Sequence, residues 1–160
     1  MLNIRVICVG KLKEKFFAEA VAEYEKRLSA FCRLELIEIP EERLGERPSA
    51  AEIEAALGRE ARQIEKKLLK DGTFICLCIE GGQVNSEAFA RKLTEAENSG
   101  RPRISFVIGG SCGIAAELKQ KADLRLSMSK MTFPHHLARV MLLEQIYRGF
   151  QIKEGTKYHK

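Results

Sequence analysis

Short apolar runs alternate along this chain with longer segments in which apolar residues recur every three or four positions. Residues 3–9 are apolar and rich in β-branched side chains, and Gly10 closes the run; such a pattern predicts a strand. Over residues 13–28, Phe17, Val21, Tyr24 and Leu28 fall on one stripe and predict a helix. Residues 34–39 alternate apolar with acidic positions, as a half-exposed strand does, and Pro40 stops them. A polar loop is expected over 41–47. Ser49 followed by Glu52 has the spacing of a capping box, and the helix it opens is expected to reach about Leu69.

The second half repeats the alternation. Residues 73–79 form a near-continuous apolar run, expected of a strand covered on both faces, with Gly81 and Gly82 ending it. A helix capped by Asn85 or Ser86 is expected to about Asn98. A strand over 104–108 then runs into Gly109 and Gly110. A short helix over 115–122 and a short strand over 123–128 follow. The final helix is expected to begin at Pro134 and run to about Ile152, leaving a polar tail. Strands alternating with helices predict an α/β fold, a mostly parallel sheet flanked by helices. In such sheets ligands lie beyond the carboxyl ends of the strands. The loops after Ile79, Ile108 and Met128 should therefore share one edge.

Composition narrows the picture. At 160 residues and 45% hydrophobic, the chain suits a single domain, 1–160, with a core that needs no disulfide or metal. The five cysteines are odd in number and match no disulfide framework, so a reducing, cytoplasmic setting is expected. The first residues lack the form of a signal peptide, and no apolar run approaches the ~20 residues of a membrane span. Net charge is +5 and unevenly spread: residues 1–100 hold 16 Lys and Arg against 18 Asp and Glu, residues 101–160 hold 11 against 4. The basic last third points to an anionic partner.

Four constellations could carry chemistry. The first is the strand, glycine turn and helix Phe106–Gly113. Its Gly109, Gly110 and Gly113 let backbone approach a ligand, but their spacing is neither a dinucleotide fingerprint nor a P-loop, and a plain tight turn accounts for it equally well. The second is the run Leu126–His136, a loop of small polar residues rich in backbone donors and acceptors. The third is the last helix. Its apolar positions Leu137, Val140, Met141, Leu142, Leu143, Ile146, Tyr147 and Phe150 cover more than one stripe. One face can pack on the sheet and another on a second subunit, or both can be buried within one chain. Arg139 and Arg148 interrupt this surface, and such arginines often fix carboxylates or phosphates. The fourth is the tail, whose lysines, Tyr158 and His159 suit RNA, although ends of this kind commonly fray.

Metal binding is a poor reading. His135 and His136 are adjacent, and Cys76 and Cys78 have no further ligands nearby in sequence. A basic RNA-binding module without catalysis remains open on these features.

The segments VGKLKEKF, IGGSCG, SMSKMTFPHHLARVMLLEQIYRGF and the terminal YHK closely resemble the ribosomal RNA large subunit methyltransferase H family of the SPOUT superfamily. The resemblance spans essentially the whole chain and is strongest from Phe106 onward. It implies a deep C-terminal trefoil knot, S-adenosyl-L-methionine as methyl donor, and a homodimer. It also implies methylation of N3 of a pseudouridine in helix 69 of 23S ribosomal RNA on assembled ribosomes. By motif position, Leu77, Gly109, Met128, Ser129, Lys130, Met131, Thr132 and Phe133 are the expected cofactor contacts. The active site is expected between subunits. There Arg139 or Arg148 would stabilise the developing uridine anion, His159 would assist proton removal or position the base, and Tyr158 would stack on or hydrogen-bond to the nucleotide. Cys112 and the second histidine, His136, are small departures that remove no backbone contact.

Overall fold

The computed structural model describes residues 1–160. Ten elements follow in chain order: β1 Leu2–Val9, α1 Lys15–Leu28, β2 Cys32–Ile39, α2 Ala50–Glu65, β3 Thr73–Gly82, α3 Ser86–Glu97, β4 Arg103–Ile108, α4 Ala116–Lys121, β5 Leu124–Leu126 and α5 His135–Lys153. The five strands form one sheet in the order β2-β1-β4-β3-β5. Every pairing is parallel.

Alternation along the strands divides the core. Leu2, Ile4, Val6 and Cys8 of β1 join Phe106 and meet Val21, Leu28, Phe89, Leu93, Leu142, Leu143, Ile146 and Phe150. Thus α1, α3 and α5 cover one face. Ile7 and Val9 point the other way and join Phe74, Cys76 and Val107 against Ala61, Ile64 and Leu118, so α2 and α4 cover the second. This two-sided cover explains the near-continuous apolar reading of the central strands.

Element ends differ from the sequence expectation where a tertiary partner intervenes. The α2 helix has the expected box, with Ser49 accepting from the Glu52 N–H and Glu52 reaching back to the Ser49 N–H. It ends at Glu65 rather than near Leu69, because the Leu69 N–H is taken by Ser105 Oγ at 2.8 Å. The β3 strand continues past Ile79 through Gly82, with a register shift against β5 between Leu77 and Gly82. Gly81 is required there, since a Cβ would lie 2.7 Å from the Arg125 carbonyl. Pro134 is the N-cap of α5 rather than its first residue.

No residue from His135 to Ile152 is fully exposed. Leu142, Leu143, Ile146 and Phe150 pack into the core with the sheet, α1 and α3. Leu137, Val140 and Met141 stay half-buried. No helix is long and apolar enough to cross a membrane.

Candidate functional site

The loop expected after Ile79 is still strand, and the carboxyl half of β3, from Leu77 to Glu80, meets the loops after β4 and β5 at one edge. Together with the start of α5 they enclose a cavity of about 690 Å³, within the range of pockets that hold small molecules and cofactors. Seven of the eight expected cofactor contacts line it: Leu77, Gly109, Met128, Ser129, Met131, Thr132 and Phe133. Lys130 does not; it is exposed on the outer side of the loop.

Main chain sets the shape of two of the walls. A Cβ at Gly109 would sit 2.5 Å from the Gly113 carbonyl oxygen, so only glycine permits the turn to fold this tightly. Gly113 has φ +85°, in the left-handed region that glycine occupies without strain. On the opposite wall Ser127 is buried and its hydroxyl donates to the Ser129 carbonyl at 2.9 Å. The Met131 N–H donates back to Ser129 Oγ at 3.0 Å. This pair of bonds shapes the loop without help from any charged group.

A carboxylate that sequence reading placed in a plain loop anchors the glycine turn. Glu41 Oε1 accepts from the Ser111 N–H at 3.0 Å and the Ser111 hydroxyl at 2.6 Å. These bonds, the hydroxyl first, outweigh partial burial and hold the Glu41 carboxyl below the usual range. A Cβ at Gly110 would collide with Glu41 Oε1 at 2.7 Å, so the clamp and the glycine are matched. Behind it, burial and the neighbouring His136 push His135, which lines the cavity, below its ordinary pKa.

Arg139 is only 2% exposed and does not line the cavity. Its guanidinium donates to Glu38 Oε2 at 2.8 Å and to the Gly10 carbonyl at 3.2 Å. Burial raises the Glu38 carboxyl, but Arg139 and the Leu12 N–H together bring it below its usual range. Arg139 thus fixes a carboxylate and a loop. The alternative offered by sequence, a cation facing substrate, is not where the structure puts it.

The tail is anchored rather than frayed. Thr156 bonds back to Gln151 through both its N–H and its hydroxyl. The Tyr158 ring lies edge-on to Tyr147 with centroids 5.0 Å apart, and Arg148 sits 4.8 Å from the Tyr158 centroid. Arg148 pairs with Glu144 at 2.6 Å and contacts His159 Nδ1 at 3.1 Å, while His159 Nε2 lies 2.8 Å from Glu87 Oε1. An arginine can only donate. In this contact Nδ1 is thus the accepting nitrogen, and Nε2 faces Glu87 as donor. Sequence reading missed Glu144 and Glu87, although Glu144 precedes Arg148 by one helical turn. This cluster lies ten residues along α5 from Ala138, which lines the cavity, or about 15 Å of helix. Within one chain the two do not meet.

No group of three or more His, Cys, Asp or Glu side chains is placed to hold a metal. All five cysteines are free thiols. Cys8 and Cys76 are pushed up to about 12 by burial, and Cys112 is exposed in the glycine turn.

The sequence model of the family described as "Predicted SPOUT methyltransferase" matches residues 2–159. The chain belongs to the SPOUT methyltransferase family. Relatives named ribosomal RNA large subunit methyltransferase H align along nearly all of it. That of Clostridium kluyveri is 46% identical over 159 residues, covering 99% of this chain and 100% of the relative. That of Leuconostoc citreum is 43% identical with the same coverage. A solved "probable methylase family protein" from Haemophilus influenzae Rd KW20 superposes with a TM-score of 0.55 at 14% identity, covering 99% of this chain and 71% of that one. A Legionella pneumophila methyltransferase structure with the bound cofactor SAM gives 0.52 at 12% identity, covering 93% of this chain and 66% of that one. At such identities these structures establish likeness of fold.

Proposed function

We propose that this SPOUT chain transfers a methyl group from S-adenosyl-L-methionine to N3 of a pseudouridine in helix 69 of 23S ribosomal RNA, acting in the cytoplasm on assembled ribosomes. The observation that carries this reading is the cavity framed by β3 and the loops after β4 and β5, in a SPOUT-family chain so close to methyltransferases named for large-subunit ribosomal RNA. The cavity suits the donor. Gly109 lets main chain approach, and the serine-rich loop offers peptide groups that can hold an adenosine without a dedicated acid. Leu77, Gly109, Met128, Ser129, Met131, Thr132 and Phe133 would hold it, with Lys130 at the outer lip. We read the passage from β5 through residues 127–134 into α5 as the deep trefoil knot of the superfamily.

The donor, when bound, supplies an already activated methyl group. The chain must then align the accepting nitrogen and stabilise the anion left when N3 loses its proton. Arg148 is the cation suited to this task, because it is partly exposed beside Tyr158 and His159, whereas Arg139 is buried against Glu38. Arg139 would act at one remove, by holding Glu38 and Gly10 beside the cavity. His159 can accept the proton only on Nδ1, so it must first release Arg148; in its resting tautomer it positions the base instead. Tyr158, clamped between Tyr147 and Arg148, presents a ring for stacking or hydrogen bonding. The separation of tail and cavity in one chain favours a homodimer in which the tail of one subunit reaches the cavity of the other. Half-buried Leu137, Val140 and Met141 offer apolar surface for that contact.

Mass-spectrometric mapping of 23S ribosomal RNA from cells lacking this protein tests the reading. One methyl group on a pseudouridine of helix 69 should disappear and return on complementation; an unchanged methylation map refutes it. Tyr158→Ala and His159→Ala, made separately, should each lower the methylation rate on ribosomes. Wild-type rates in both would remove the tail from the mechanism.

A further inference from the structure

The segment from Gly10 to Phe17 contributes nothing to the cavity wall, yet it is fastened beside it. The Gly10 carbonyl accepts from buried Arg139, and a Cβ at Gly10 would lie 3.4 Å from Nε2 of His135, a cavity residue. The Leu12 N–H donates to Glu38 Oε2 at 3.0 Å. The Glu14 carboxylate lies 3.4 Å from His136 Nδ1. Positions 10, 12 and 14 are thus tied inward, which leaves the residues between them facing out.

Those residues are Lys11, Lys13 and Lys15, all exposed, followed by Phe16 at 64% exposure. The only salt bridge among the three lysines is the long, solvent-exposed pair Lys15–Glu19 at 3.7 Å. Phe16 is the one aromatic among the large hydrophobic residues left exposed. It is held from behind: its ring is 4.4 Å from that of Phe17, which meets His136 edge-on at 6.3 Å. Burying Phe16 against its own chain would have been favourable, so its presentation to solvent among cations asks for a partner with both negative charge and flat apolar faces. A single-stranded or hairpin RNA has both.

We propose that residues 11–16 form an RNA-docking surface, in which Lys11, Lys13 and Lys15 neutralise phosphates and Phe16 stacks on an unpaired base of the hairpin whose target nucleotide enters the adjacent cavity. This rests on the methyltransferase reading above. It adds a contact outside the basic last third of the chain, in a stretch, residues 1–100, where acidic residues slightly outnumber basic ones. Because the segment is fixed at three points before RNA arrives, little ordering cost accompanies docking.

The test uses the full-length chain with assembled ribosomes and two variants, Phe16→Ala and the double variant Lys11→Gln with Lys13→Gln. Each should raise KM for ribosomes about tenfold, the scale of one lost stacking contact or two lost phosphate contacts. For both, kcat should stay within about twofold and S-adenosyl-L-methionine affinity by calorimetry should match wild type. The double variant should also show a salt dependence of kcat/KM shallower by about two in log–log slope. Unchanged KM in both variants overturns the proposal. So does a fall in cofactor affinity that tracks the rise in KM, which would place the segment in the cavity wall. A change of mass in sedimentation for Phe16→Ala also overturns it, because the surface would then belong to a second copy. A wild-type chain that methylates no ribosomes defeats the enzymatic reading instead. Docking is then judged alone, by filter binding of a labelled RNA hairpin, where equal affinity of wild type and Phe16→Ala overturns it.

Discussion

The cavity and the tail cluster, joined by α5, are built from different materials. Glycines, short serines and apolar side chains shape the cavity, with the Lys119–Glu80 ion pair in its lining, and Glu41 anchors the glycine turn from behind. The tail cluster consists of long charged and aromatic side chains holding one another: Arg148, Glu144, Tyr158, His159 and Glu87. A site made of main chain fails when backbone is forced to move, and it tolerates exchange of side chains that point away. A site made of side chains keeps its scaffold when one member is lost but loses the chemistry of that member. Binding and catalysis should therefore separate cleanly between the two ends.

The largest effect should come from the cavity. Gly109→Ala places a methyl 2.5 Å from the Gly113 carbonyl oxygen, and backbone must shift to relieve it. Overpacking of this kind costs about 1–3 kcal/mol. Thermal melting should fall accordingly, and calorimetry should show roughly 100-fold or greater loss of S-adenosyl-L-methionine affinity, about 3 kcal/mol. Undiminished binding would mean that the glycine turn is not a wall of the cofactor site.

Next in size is Arg148→Ala, which acts at the other end. Ribosome methylation should drop roughly 100-fold, the scale of removing one preorganised charge, while cofactor affinity stays within about twofold. Loss of both functions together would break the separation between the two ends.

Smaller and pH-dependent is Glu41→Gln. An amide accepts the Ser111 bonds less strongly than a carboxylate, so cofactor affinity should weaken severalfold. The folded-state pKa of Glu41 is depressed. Its stabilisation is therefore present above the ordinary carboxyl value near about 4.3 and is lost as pH falls through the lower folded value. The wild-type melting temperature should drop across that acidic window, and the variant should show a shallower drop. Parallel curves would show that Glu41 is not the anchor.

Smallest of all is Cys112→Ser. The thiol is exposed at the cavity and its replacement by a hydroxyl changes little in size, so binding and stability should stay within about 0.5 kcal/mol of wild type. A larger change would mean that the cavity uses this side chain after all.

The two ends also differed in how well they could be read before the fold was known. The alternation of β-branched runs with amphipathic stretches located every strand and helix, because both periods follow from which faces are covered. Glycine and proline marked the turns, and the meeting of the loops after β4 and β5 at one edge, beside the carboxyl half of β3, followed from parallel strands. Three things were hidden by distance along the chain. Glu41 meets Ser111 seventy positions later, and Glu38 meets Arg139 across 101; neither glutamate stands out among its acidic neighbours. Leu69 loses its place in α2 to a hydroxyl 36 positions onward. The wide apolar surface of α5 was ambiguous for the same reason: what covers a helix is decided by elements far away in sequence. The role of Arg139 turned on that point too, since its partner Glu38 lies 101 positions away.

The order β2-β1-β4-β3-β5 has a consequence for synthesis. The central ladder pairs Asn3 with Arg103 and Cys8 with Ile108, so the first strand to leave the ribosome cannot gain its inner neighbour until roughly two thirds of the polypeptide has emerged. Until then β1 can pair only with β2, and its other edge stays open to chance partners. Closing so long a loop is slow. Pulse-labelled nascent chains should accordingly turn protease-resistant late and abruptly, rather than in proportion to their length.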